Sequence, residues 1–452
     1  MRRSATFRNS FGGTGDAPKR LRRIGVMRWH IPQFPWAQMR GVYNRMVHGY
    51  FDVENSRRLT MYPMILIRHA NVFSPRPLGI QTLLVGGDRI LWLGADAELD
   101  LPRALRATTE VLDLQGATLI PGLIDGHVHV TGGGGEAGFN TRVPPLPLSR
   151  FTTSGVTTAV GLLGTDDVAR GPRELLATVY ALRESGLNAW GYTGGYHVPP
   201  TTLTGGVRSD LVFIEPLIGV GEVAISDHRS SQPTLDELLR IASEAHVAGL
   251  MTGKAGIVHL HLGDGVRGLE LVRRALAQSE LPPRVFNPTH VNRRRPLFDE
   301  AVDLARAGCT VDVTAFPVAD GEDAYSASEA LLRYLFSGAP PEHVTVSSDA
   351  GGCLPCFDSD GRVCRMDVGS AGALLQTLQE LVAKGVPLEQ ALLPFTANPA
   401  RILRLSGRGR VEVGSAADLI ALDATGAIGT VIIGGKTHVR AGKPVVRGPF
   451  EP

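Results

Sequence analysis

The chain has 452 residues, 43% hydrophobic and 20% charged, with a formal net charge of +2. That suits one large α/β unit with a small appended domain, and the balance excludes a chain disordered over most of its length. No run of eighteen or more apolar residues occurs, so no membrane-spanning helix is predicted.

The charge is unevenly placed. Residues 1–60 carry 12 Lys+Arg against 3 Asp+Glu, and the remaining 392 carry 34 against 41. The positive balance is therefore no sign that the folded body binds nucleic acid. The Arg-rich, acid-poor segment (MRRSATFRNS, PKRLRRIGVMRW) has the composition of a transit peptide, a basic tail or sequence upstream of a misassigned start. The last is favoured, because Met61 and Met64 stand just before the first strand-like run, MILIRHANVF. Residues 1–63 are read as a basic extension, disordered or wrongly included. Four cysteines, Cys309, Cys353, Cys356 and Cys364, without a signal peptide point to a reducing compartment, the cytoplasm, rather than to a disulfide framework. Cys353-Leu-Pro-Cys356 is formally a C-x-x-C, but it lacks two further ligands for structural zinc and a thioredoxin-like context.

From 64 to 120 short strand-like runs alternate with turn signals: ILIRHANVF, TLLVGGDRILWLG, EVLDLQGATLI. Gly86-Gly87-Asp88 between two apolar runs predicts a hairpin. The same texture returns in RVEVGSAADLIALD and GTVIIGGKTHVRAGKPVV, which suggests one small β domain, a β-sandwich, built from both ends (64–120 and 405–452). Between them, strand candidates at 156–162, 188–193, 222–226, 257–262, 285–289, 310–315 and 343–348 alternate with helical patterns at 173–185, 235–247, 266–277, 296–306 and 370–384. That alternation predicts a parallel sheet, and the number of units favours a closed (β/α)8 TIM barrel over residues 121–404.

In such a barrel the chemistry sits at the carboxyl ends of the strands. His127 and His129 end an apolar strand at positions i and i+2, on the same side of the chain, so both can reach one metal. His261 ends IVHLHL, His290 follows FNPT and Asp349 follows VTVSS. Imidazole and carboxylate are the ligands of zinc and similar metals. Each residue alone could be a satisfied polar group at a strand end, but together they are hard to attribute to chance.

The order H-x-H, bridge, His, His, Asp resembles the amidohydrolase superfamily, and GHVHVTGGGGEAG, GLLGTD, TGGYHVPP, AISDHRS, PTHVNR and VSSDA resemble, within it, the isoaspartyl (β-aspartyl) dipeptidase family from about residue 64 onward. The resemblance implies two divalent metal ions, zinc being favoured by the ligand set, with His127 and His129 on one, His261 and His290 on the other, and Asp349 ligating the first and accepting the proton of a bridging hydroxide. The family's bridging carboxylated lysine has no counterpart. Glu222, preceded by an extra Gly221, stands at that position, and Lys254 is a poor substitute. A glutamate supplies a bridging carboxylate without carbon dioxide, but on a shorter side chain, so the backbone must come closer. The other reading is a lost bridge and a weakened metal site.

The resemblance also implies a dipeptide substrate whose ammonium meets Glu136 and whose carboxylates meet Arg229 and Arg293, helped by backbone around Gly134 and Thr165, with Tyr196 donating to the scissile carbonyl. The two arginines, taken alone, read more readily as solvated surface charges. Cys353 falls where the family has a serine. The expected activity is hydrolysis of β-aspartyl dipeptides by a homo-oligomer that engages neither membrane nor nucleic acid. The alternatives are another amidohydrolase acting on a cyclic amide or an N-acyl amino acid, and a non-catalytic barrel.

Overall fold

The structure, a computed structural model, describes residues 64–99, 101, 106–319, 321–357 and 363–452. The basic segment 1–63 lies outside the described residues, and with it Met61, one of the two candidate starts; the other, Met64, is the first described residue. Among the described residues no helix is long and apolar enough to cross a membrane.

Five strands come first: β1 (Met64–Ser74), β2 (Arg76–Gly86), β3 (Arg89–Gly94), β4 (Thr109–Asp113) and β5 (Thr118–Pro121). The predicted hairpin forms, with Gly86 opposite Arg89 and Gly87 at φ 61°, a left-handed position that glycine takes without a Cβ clash.

Eight βα units follow. The strands are β6 (Leu123–Val128), β7 (Val156–Gly161), β8 (Asn188–Thr193), β9 (Leu217–Ile225), β10 (Val258–Leu262), β11 (Phe286–Thr289), β12 (Val311–Thr314) and β13 (Val344–Ser347). The helices after them are α1 (Leu148–Thr152), α2 (Pro172–Glu184), α3 (Val207–Phe213), α4 (Leu235–Thr252), α5 (Glu270–Gln278), α6 (Arg295–Arg306), α7 (Ala327–Phe336) and α8 (Gly372–Ala383), the last preceded by the hairpin β14 (Cys353–Phe357) and β15 (Val363–Val368). Strands β6 to β11 pair in parallel in chain order as one curled sheet, β12 and β13 pair in parallel, and a parallel bridge joins Val128 to Ala350. With helices covering them, these strands are buried along almost their whole length, which is why they read as continuous apolar runs. Helix α4 shows the local logic: a Thr234–Glu237 capping box opens it and Gly253, at φ 74°, closes it.

Two departures from the predicted elements have local causes. Strand β9 begins at Leu217 rather than 222, because Gly219 and Gly221 dilute the strand signal. Helix α7, absent from the predicted set, is opened by Ser326, whose hydroxyl accepts the Glu329 N–H.

Strands β16 (Leu419–Leu422), β17 (Ile428–Ile433), β18 (Lys436–Arg440) and β19 (Lys443–Pro444) return to the first five and complete a nine-stranded mixed sheet, with β16 antiparallel to β5. Its period-two pattern divides two cores. Leu419 and Ala421 face a cluster with Ile65, Ile67, Val72, Leu83 and Val85, whereas Ile420 and Leu422 join the larger core of the parallel strands.

Candidate metal centre

The site is assembled where the parallel strands end. His127, the penultimate residue of β6, and His129 just beyond it both turn inward, their Nε2 atoms 3.3 and 3.2 Å from Asp349 Oδ1. Asp125, two residues earlier and of the same parity, accepts from the Ser348 N–H at 3.1 Å and from the Ser348 hydroxyl, tying β6 to the segment after β13. Three non-glycine residues just past strand ends, Ser226, His290 and Asp349, have φ of 51°, 59° and 52°. Left-handed backbone costs such residues roughly 1–2 kcal/mol each. Such strain clusters at active sites, and here it marks the ends of β9, β11 and β13.

Glu222 reaches the centre through a bulge. Along β9 and β10 the register runs from Val220 opposite Val258 to Val223 opposite Leu260, so Gly221 and Glu222 together face His259. One extra residue on β9 re-aims the side chain. A Cβ on Gly221 would lie 2.8 Å from the His259 Cβ and 2.9 Å from its carbonyl oxygen. The extra glycine thus serves the close approach of β10 to β9. The Glu222 carboxylate lies between the histidines: Oε1 contacts His261 Nδ1 and His290 Nε2, the latter at 3.0 Å, while Oε2 is 3.6 Å from His127 Nε2 and 3.8 Å from His129 Nε2.

These residues fit a metal. Two sets of three, His127 with His129 and Asp349, and His127 with Glu222 and His290, each offer ligand atoms within 4.8 Å of one another, all buried. His127 Nε2, Glu222 Oε2 and Asp349 Oδ1 have no hydrogen-bond partner. An uncompensated carboxylate oxygen costs several kcal/mol in such a place, so orphans that face one another suggest a shared cation. Electrostatics agree. Burial alone would raise Glu222 and Asp349, yet the surrounding histidines hold both carboxyls well below the usual carboxylate range. Burial alone would depress the His127 imidazolium, yet Glu222 and Asp349 draw it up to about 9. The pocket attracts positive charge, and a divalent cation would displace that proton.

Around the centre stand the remaining predicted residues. Glu136 is half-buried; its Oε1 accepts from the Thr165 hydroxyl at 3.1 Å and faces Arg229 Nη1 at 3.5 Å, and its buried Oε2 has no hydrogen-bond partner. Gly134, at φ 76°, brings backbone so close to Thr141 that a Cβ would lie 2.6 Å from its carbonyl oxygen. The Tyr196 hydroxyl is 2.8 Å from His261 Nδ1, and burial pushes that phenol well above its usual range. Arg293 is half-buried and donates to the Leu262 carbonyl. Cys353 is half-buried beside Gly134, its thiol pushed up to about 12 by burial and so uncharged.

Arg229 corrects the surface-charge alternative. It is largely buried, its Nε and Nη2 donating to Asp227 at 3.1 and 2.7 Å. Asp227 in turn contacts His261 Nε2 at 2.9 Å, so one buried carboxylate links the arginine to the centre. Sequence reasoning passed over Asp227 although it lies inside Ser226-Asp-His-Arg229, and passed over His259 although His259-Leu-His261 repeats the H-x-H spacing of His127 and His129. It also missed Arg170, whose buried guanidinium donates to the carbonyls of Thr131, Gly133 and Val143 and so braces the glycine-rich loop. No local pattern in the sequence announces that role. Lys254 is engaged elsewhere, donating to the Leu211 and Ile214 carbonyls at the end of α3.

Comparison with known proteins adds a lineage to this geometry. The amidohydrolase family model matches residues 118–438. A β-aspartyl dipeptidase of Fervidobacterium islandicum AW-1, solved in complex with the β-Asp-Leu dipeptide, is 40% identical; the match covers 86% of this chain and 99% of that one, with a TM-score of 0.79. A deacetylase of Agrobacterium fabrum is 25% identical over 363 residues, 75% of this chain and 78% of that protein. A dihydroorotase of Carboxydothermus hydrogenoformans is 25% identical over 366 residues, 71% and 81% of the two chains.

Proposed function

The chain belongs to the amidohydrolase family, and on that premise we propose that it is a metal-dependent dipeptidase that hydrolyses the isopeptide bond of β-aspartyl (isoaspartyl) dipeptides. One observation carries the reading: the 40% identity runs over 99% of a β-aspartyl dipeptidase chain. The eight βα units are read as a closed (β/α)8 barrel over 121–404, supported by the Val128–Ala350 bridge. The nine-stranded sheet, with a core of its own, is read as a small β-sandwich domain from 64–120 and 405–452.

In this reading His127, His129 and Asp349 would hold one divalent cation and His261 and His290 a second, with the Glu222 carboxylate standing between the two sets. Bound there, the two cations supply Lewis acidity that polarises the scissile carbonyl and makes a water nucleophilic near neutral pH, and four imidazoles with two carboxylates suit zinc. The chain's own groups do the rest. The partnerless Oε2 of Glu136 receives the substrate α-ammonium, while Arg229 and Arg293 receive its two carboxylates. Gly134 and Thr165 shape that pocket, and Cys353 lines it without charge. The Tyr196 hydroxyl, beside His261, donates to the carbonyl oxygen as charge builds there. Asp349 accepts a proton from the attacking water and returns it to the leaving nitrogen as the C–N bond breaks, giving aspartate and a free amino acid.

The test is turnover of β-Asp-Leu and α-Asp-Leu on one sample of known metal content. The expected outcome is at least a hundredfold preference in kcat/KM for the β-linked substrate, lost on chelation. Turnover of an N-acyl amino acid or a cyclic amide with none of β-Asp-Leu would contradict the reading.

A further inference from the structure

The bulge that delivers Glu222 faces His259, and His259 also reaches the other side of the centre. Its Nε2 lies 2.9 Å from His127 Nδ1, the ring nitrogen turned away from Asp349. Its Nδ1 lies 2.6 Å from Asn287 Oδ1, and the Asn287 amide N–H donates to the Thr310 hydroxyl at 2.9 Å. All four residues are buried, and the His259 ring stacks on Tyr192 with an interplanar angle of 10°.

This chain of groups has a direction. With Asn287 presenting its oxygen, His259 Nδ1 must be the donor, so its Nε2 carries the lone pair. His127 Nδ1 then donates to His259, and the lone pair of His127 Nε2 points at Glu222 and Asp349. The opposite polarity would put a proton on His127 Nε2, 3.3 Å from Asp349 Oδ1, where a cation needs a lone pair. We propose that His259, oriented by Asn287, is a positioning residue that fixes the tautomer and ring angle of His127 and thereby sets the metal affinity of the centre. The inference rests on reading His127 as a metal ligand. Such outer partners are worth roughly 10–100-fold in metal affinity.

The experiment is competition for Zn2+ between a chromophoric chelator and the full-length protein, with melting of the metal-free protein recorded in parallel. His259→Phe keeps a ring against Tyr192 but offers no acceptor, and should weaken zinc binding by roughly 10–100-fold. Asn287→Leu should weaken it in the same direction, whereas Asn287→Asp keeps the acceptor and should bind zinc at least as tightly as the parent. If His259→Phe does not fold, the contrast between the two Asn287 variants decides. Equal zinc affinity in both Asn287 variants, or lowered metal-free melting with unchanged zinc affinity, would overturn the inference. His127→Ala separates the two levels: if it binds zinc like the parent, the reading of His127 as a ligand fails. If it loses zinc while the His259 and Asn287 variants keep it, only the positioning role fails.

Discussion

The nine-stranded sheet and the parallel strands bury their residues in different ways. In β1 burial alternates, and the deeply buried positions include Ile65, Ile67, Ala70 and Val72. In β9 to β13 every residue is buried, and among them are Glu222, His259, His261, Asn287, Thr289, Asp312, Thr314 and Ser347. Apolar pattern explains most of the first region, where few polar side chains, such as Thr82 and His438, are buried. The second carries polar groups that cost free energy unless each is matched, and the partners are mostly one another: Asp312 accepts from Thr289 and Ser347, and Asp227 from His261 and Arg229. Among the buried polar atoms left without a partner, His127 Nε2, Glu222 Oε2 and Asp349 Oδ1 face one another at one point, the candidate metal centre.

If this contrast is right, substitutions in the two regions should separate activity from stability. The largest effect is expected for Glu222→Gln. A neutral amide is a poor bridging ligand, so kcat/KM for β-Asp-Leu should fall by about a thousandfold or more, with loss of at least one metal by elemental analysis. Two metals and normal turnover in that variant would make Glu222 a bystander. Next come the arginines. Arg293→Met should lower kcat/KM by about a hundredfold, a few kcal/mol for a charge-assisted pair, with metal content unchanged. Arg229→Met should lower it further and also loosen metal, because Asp227 loses its guanidinium while still touching His261. Equal metal content in the two variants would break that distinction.

Arg170→Met should act through the loop alone, raising KM about tenfold with little change in kcat, since three carbonyls each lose the guanidinium as a donor while the histidines are untouched. In the sheet, Ile67→Ala should cost about 2–5 kcal/mol in denaturant unfolding and leave kcat/KM unchanged. The smallest effect belongs to the half-buried pair of Arg68 and Asp96, where the Arg68 hydrogen bond holds the Asp96 carboxyl down to about 2. A depressed carboxyl stabilises above its unfolded value near 4 and loses that contribution as pH falls through 2. Asp96→Asn should therefore lower the melting temperature slightly at pH 6, and by less at pH 2.

The legible parts of the sequence were those with a local period. Strands at 188–193 and 257–262 and the helix at 296–306 stand within a residue or so of where their apolar spacing put them, and His127, His129, His261, His290 and Asp349 come together from four strand ends. The illegible parts depend on what lies opposite. Gly221 looks like a spare residue until β10 is seen pressing against it, and Arg170 looks like a surface arginine until the loop carbonyls fold over it. His259 carries the same H-x-H signal as His127, but whether it faces a metal or a ligand's back is settled by strand register, which no single segment contains.

The central claim is that Glu222 supplies a ready-made bridge where the family resemblance implies a carboxylated lysine. The most direct test strips the metal, reconstitutes the protein with Zn2+ in buffer free of carbon dioxide, and measures bound zinc and turnover of β-Asp-Leu with and without added bicarbonate. The expected result is two zinc ions per chain and the same kcat in both buffers. One zinc per chain, or activity that returns only with bicarbonate, would contradict it.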